Sequence, residues 1–107
     1  MADRLQRITE MLSNTPNDAF LLFALAQELK NAARVEEAIA AFRNLRKQHP
    51  DYVGLYYHYA AVLAEAKRTS AAEEVYEQGI AVAQKIGDQH ALAELKNAFL
   101  NWQIEQE

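Results

Sequence analysis

The sequence contains no cysteine, only two prolines and only three glycines among its 107 residues. Without cysteine there is no disulfide frame, no thiolate metal site and no thiol nucleophile. So few glycines leave no phosphate-cradling loop or nucleophile elbow, both of which need glycine at fixed offsets. Histidine is equally sparse: His49, His58 and His90 are the whole set. No two of them lie one helical turn apart, so the sequence carries no paired-ligand metal motif. Basic excess is missing too. A net charge of −4 works against an electrostatic grip on nucleic acid, which relies on a basic patch. Residues 1–67 hold eight acidic and eight basic side chains, while residues 68–107 hold seven and three, so the mild acidic bias belongs to the C-terminal third. No apolar run approaches the roughly 20 residues that span a bilayer, and Met1-Ala2-Asp3-Arg4-Leu5 lacks the apolar stretch of a leader. These absences argue against an enzyme, a cofactor protein, a nucleic-acid binder and a membrane protein. A cytoplasmic protein is expected.

Half of the residues are apolar, which with so few helix breakers suits helices. Pro16 and Pro50 stand 34 residues apart, and the residues after them repeat. Leu22, Leu25, Ala26, Leu29, Ala38 and Phe42 each lie 34 before Tyr56, Tyr59, Ala60, Leu63, Ala72 and Tyr76. A fixed period of this kind marks stacked structural repeats. Apolar stripes at i, i+3, i+4 spacing and the proline breaks predict six helices, near 2–13, 18–31, 35–48, 52–66, 70–86 and from 88 onward. Ser70 and Glu73 are spaced as a capping box for the fifth helix, and Gly87 as the left-handed residue that closes it. Linkers of a few residues force neighbouring helices to pack antiparallel.

The pattern of both units resembles the tetratricopeptide repeat (TPR) family, a helix–turn–helix unit with small residues where two helices touch and an aromatic between them. Ala26, Ala38, Ala60 and Ala72 are the small residues, and Phe42 and Tyr76 the aromatics. Gln84 departs from the pattern by replacing the closing proline. The resemblance implies an all-α, right-handed α-solenoid of antiparallel helix pairs in one domain, 1–107. Residues 2–16 would be the second helix of a preceding unit, 19–52 and 53–86 two full units, and 88–104 a terminal capping helix.

In such stacks the first helix of each unit lines a concave groove. The resemblance therefore implies a protein–protein interaction module that binds a peptide segment or partner protein along helices two, four and six. The corresponding residues are Phe20, Phe23, Gln27, Lys30, Tyr57, His58, Glu65, His90 and Asn97. Phe20 and Phe23 either line this groove or are covered by the first helix. TPR modules that clamp a chaperone's C-terminal carboxylate use Lys, Asn, Asn, Lys and Arg, where this sequence has Phe23, Gln27, His58, His90 and Glu94. The cations are missing, and Glu94 repels a carboxylate. An apolar or aromatic-bearing segment is the expected ligand. His49 is expected to meet solvent or the last carbonyls of its own helix.

Self-assembly is the alternative function. Leu100 and Ile104 lie off the Leu92–Leu95–Phe99–Trp102 stripe, so Leu100, Trp102 and Ile104 are candidates for an exposed surface that pairs the last helix with its copy in a homodimer.

Overall fold

The computed structural model describes residues 3–107, and all regular elements there are α-helices. They are α1 (Arg4–Asn14), α2 (Ala19–Asn31), α3 (Val35–Gln48), α4 (Gly54–Glu65), α5 (Thr69–Ile86) and α6 (Gln89–Glu105). Their bounds lie within two residues of those expected; residue 2, the expected start of the first helix, lies outside the described residues. The helices group into two compact units, one through Tyr52 and one from Val53.

In the first unit α2 packs against both α1 and α3. Three local devices set its elements. The Asp3 and Asp18 carboxylates accept from the Gln6 and Leu21 N–H groups at 2.8 and 3.0 Å, satisfying amides that a helix start leaves unpaired. Proline pushes its predecessor off the helical conformation, and the backbone repeats accordingly: Thr15 has φ −137° and ψ 70°, and His49 has φ −137° and ψ 68°. The α2–α3 turn places Ala33 at φ 60° and closes with Arg34 N–H donating to the Leu29 carbonyl at 2.9 Å. The core is Ile8, Leu21, Leu22, Ala24, Ala26 and Leu29 with Ala38, Ile39, Phe42 and Leu45. Burying each large side chain in it contributes roughly 1.5–3 kcal/mol. Val35, apolar but at the first helical position, is exposed.

His49 corrects its expectation. Its Nε2–H donates to the Asn17 carbonyl at 2.6 Å, tying the end of α3 to the loop before α2. The partner is 32 residues away in sequence, which is why local reading missed it.

The second unit repeats the hairpin with α4 and α5 and adds α6, which packs on both. The α4–α5 turn repeats the first one residue for residue. Lys67 has φ 63°, and Arg68 N–H donates to the Leu63 carbonyl at 2.9 Å. This turn also overrules the expected capping box. It starts α5 at Thr69 with Arg68 as N-cap and no side-chain cap hydrogen bond, so Ser70 is already inside the helix. Lacking a proline at Gln84, α5 runs to Ile86, 18 residues against 14 for α3. Gly87 then closes it at φ 78°, with Asp88 N–H donating to the Ala83 carbonyl at 3.0 Å. Leu55, Tyr56, Tyr59, Ala60, Val62 and Leu63 face Ala72, Val75, Tyr76, Val82, Ala83, Leu95 and Trp102 in a second core.

Candidate partner-binding surface

Helix α2 presents three kinds of surface. Ala26 and Leu29 are spent on the core. Phe23 is half-buried: its ring meets Phe42 edge-on at 6.4 Å between centroids and Tyr52 at 5.5 Å. Edge and tilted contacts of this kind are favourable for aromatic pairs, so Phe23 belongs mainly to the hairpin's own aromatic cluster. Burial, reinforced by Asp18, pushes the Tyr52 phenol above its ordinary pKa. Gln27 and Lys30 are half-buried along the same helix, and the Gln27 amide oxygen is buried.

Phe20 is different. It is 67 % exposed, the most exposed large apolar side chain of the described residues. Its neighbours Leu21 and Ala24 are buried. Between α1 and α2 lies a cleft of about 470 Å³, floored by Ile8, Leu21 and Ala24 and rimmed by Phe20, Met11, Arg4 and Arg7. Arg4 is engaged by Glu28, Nε to Oε1 at 2.6 Å. Arg7 forms no ion pair among the described residues. Sequence reading missed Met11, Arg4 and Arg7. Met11, one turn beyond the buried Ile8, is 54 % exposed.

In the second unit Tyr57 and His58 are half-buried neighbours on α4 whose rings meet edge-on at 5.2 Å. Glu65, near the end of α4, and His90 and Asn97 on α6 are exposed. Of the three α6 residues expected on a pairing surface, Leu100 and Ile104 are exposed at 54 % and 55 %. Trp102 is not: it is buried against Tyr76 at 5.7 Å and Phe99 at 6.2 Å. The stacked Tyr76–Phe99 pair, 5.2 Å apart, completes the cluster. An indole this large is better buried than wetted, so Trp102 folds back onto α5. Burial, and secondarily the proximity of Tyr57 and Glu105, raises the Tyr76 pKa.

Among the described residues no group of three or more His, Cys, Asp or Glu is placed to hold a metal ion. No helix there is long and apolar enough to cross a membrane.

Helix hairpins whose turns repeat at a 34-residue interval define an all-α helical-repeat protein. The tetratricopeptide repeat model matches residues 25–98, and the chain belongs to the TPR family. It is similar to a TPR domain protein from Salinibacter ruber, in solution and crystal structures. Both are 41 % identical; the solution structure covers 81 % of this chain and 88 % of that one with a TM-score of 0.77, and the crystal structure 80 % and 97 % with 0.75. A Bordetella parapertussis protein shares the fold at 23 % identity, covering 98 % of this chain and 91 % of the other with a TM-score of 0.84. So does the TPR2B domain of yeast Sti1, solved as a complex with pHsp70, at 20 % identity, 94 % and 81 % coverage and a TM-score of 0.86. No curated protein matches the chain.

Proposed function

We propose that this protein is an adaptor that binds a peptide segment or partner protein through the first helices of its repeats. Membership of a family whose repeats generally mediate protein–protein interaction carries the reading. In the first unit α2 supplies Lys30, Gln27 and the outer edge of Phe23. In the second, α4 supplies Tyr57, His58 and Glu65, and α6 supplies His90 and Asn97. Half-exposed aromatics beside adaptable polar groups suit a peptide, because burying a rigid ring orders few torsions. A free C-terminal carboxylate is not the ligand. Glu94 is exposed and Phe23 cannot pair with an anion, so the partner offers an apolar or aromatic side chain instead.

The test is selection from a random peptide library, followed by titration of the selected peptides. Tyr57→Ala and Lys30→Glu should weaken binding about tenfold or more, as truncation of a contact side chain does. Selected peptides that bind both variants as tightly as wild type would overturn the assignment.

A further inference from the structure

The α1–α2 cleft is lined by none of Lys30, Gln27, Tyr57 or His58, so it is distinct from the binding surface proposed above. Its charge is one-sided. Ile8, Leu21 and Ala24 form a buried floor, Phe20 and Met11 are exposed at the rim, and the charged residues of the lining are Arg4 and Arg7. The carboxylates of the two helices and their caps are engaged or lie elsewhere. Asp3 and Asp18 accept from the Gln6 and Leu21 N–H groups, Glu28 holds Arg4 at 2.6 Å, and Glu10 is not part of the lining. Arg7 forms no ion pair among the described residues.

The cleft also has a direction. Arg4 at the start of α1 reaches Glu28 near the end of α2, so the two helices run antiparallel. Met11 and Phe20 therefore stand toward one end, and Arg7 and Arg4 toward the other. Four residues separate Arg7 from Met11, about 6 Å along the helix axis. A second helix carries side chains four apart on one face at the same spacing. We propose that this cleft docks an amphipathic helix of a partner protein, whose large apolar side chain packs between Met11 and Phe20 while a carboxylate one turn away pairs with Arg7. Charge selects this occupant. A basic segment would set its cations against Arg7 and Arg4, which costs free energy, whereas an acidic one supplies the anion that the lining lacks.

The probe is a set of synthetic helical peptides on one alanine-rich host, differing at two positions one turn apart. The first position carries Leu or Ala, and the second Glu, Gln or Lys. Binding to the full chain is followed by amide chemical-shift titration. The Leu/Glu peptide should bind tightest, with shifts centred on Ile8, Met11, Phe20, Leu21 and Ala24. Replacing its Leu by Ala should weaken binding about tenfold, and its Glu by Gln about threefold. Added salt should weaken the Leu/Glu peptide and spare the Leu/Gln one. Arg7→Glu should reverse the preference, weakening the Leu/Glu peptide about tenfold and making Leu/Lys the tighter of the two. Phe20→Ala should weaken every Leu peptide. Phe20 and Arg7 are exposed, and unchanged far-UV circular dichroism of each variant guards against misfolding. Tyr57→Ala should leave all these affinities as they are, so this site and the surface proposed above can fail separately. Four outcomes overturn the proposal. They are no binding of the Leu/Glu peptide at millimolar concentration, a charge preference that Arg7→Glu leaves unreversed, and shifts centred on Tyr57 and His58 instead. The fourth is a wild-type chain whose α1 and α2 amides shift with its own concentration, which would assign the cleft to a second copy.

Discussion

A methyl group added at Gly79 would lie 2.5 Å from Tyr56 Cβ and 3.0 Å from its Cγ, closer than two carbons can pack. Helices α4 and α5 approach this closely because Gly79 has no side chain, and Tyr56 is fully buried against the gap. One period earlier the corresponding residues are Leu22 and Leu45, both buried. Two leucines in one hairpin have become a tyrosine and a glycine in the other, a large residue balanced by a missing one. Gly79→Ala should therefore destabilise the second unit by about 1–3 kcal/mol through overpacking, read from urea unfolding. Tyr56→Leu keeps both Cβ and Cγ, so it should give no rescue in the double variant. A neutral Gly79→Ala would show that the helices separate freely.

The two inter-helix turns store strain. Ala33 and Lys67 hold φ of 60° and 63°, a left-handed conformation that costs a residue bearing Cβ roughly 1–2 kcal/mol and glycine much less. Glycine also loses more chain entropy on folding, which offsets part of the gain. Ala33→Gly and Lys67→Gly should each raise stability by about 0.5–1 kcal/mol, whereas valine at either position should lower it. The check is a shift in unfolding midpoint at unchanged m-value. Destabilised glycine variants would contradict the assignment of strain.

The fold was legible because it is written in local chemistry: proline breaks, small residues at contacts and a period of 34 in the sequence. The left-handed turns were not, since Ala33 and Lys67 are residue types that carry no turn signal; only their shared position in the repeat could have flagged them. The surroundings of the candidate side chains were less legible. Periodicity placed Phe20 and Phe23 on one helix face, but it could not register Tyr52, which follows α3 and takes up Phe23. Nor could it register Asn17, whose carbonyl receives the His49 N–H. Both are tertiary contacts made by loop residues, beyond the reach of a helical stripe.

Alkali should unfold the protein cooperatively with tyrosine ionisation. Burial raises the pKa of Tyr52 and of Tyr76, so each folded phenol holds its proton more tightly than the unfolded one, whose pKa is about 10. Below that value both states are protonated and the full stability is present. Above it the unfolded chain releases protons first, and stability falls as pH rises toward the raised folded values. Thermal midpoints measured from neutral pH upward should stay level and then drop above about pH 10. Tyr76→Phe should make that drop shallower, and an identical slope in the variant would remove Tyr76 from the effect.

Trp102 and Leu100 stand two residues apart on α6 with opposite environments, 8 % and 54 % exposed. Trp102 closes the aromatic cluster with Tyr76 and Phe99, so Trp102→Ala leaves a large cavity and should cost about 3–5 kcal/mol. Leu100→Ala removes a side chain already in water and should change monomer stability by less than about 0.5 kcal/mol. Far-UV circular dichroism during denaturant unfolding checks both, since it does not rely on the indole that one variant lacks. In the wild-type chain, where Trp102 is the single tryptophan, the same burial predicts blue-shifted emission and poor quenching by acrylamide. Strong quenching in the native state would place the indole in solvent and return Trp102 to the exposed face of α6.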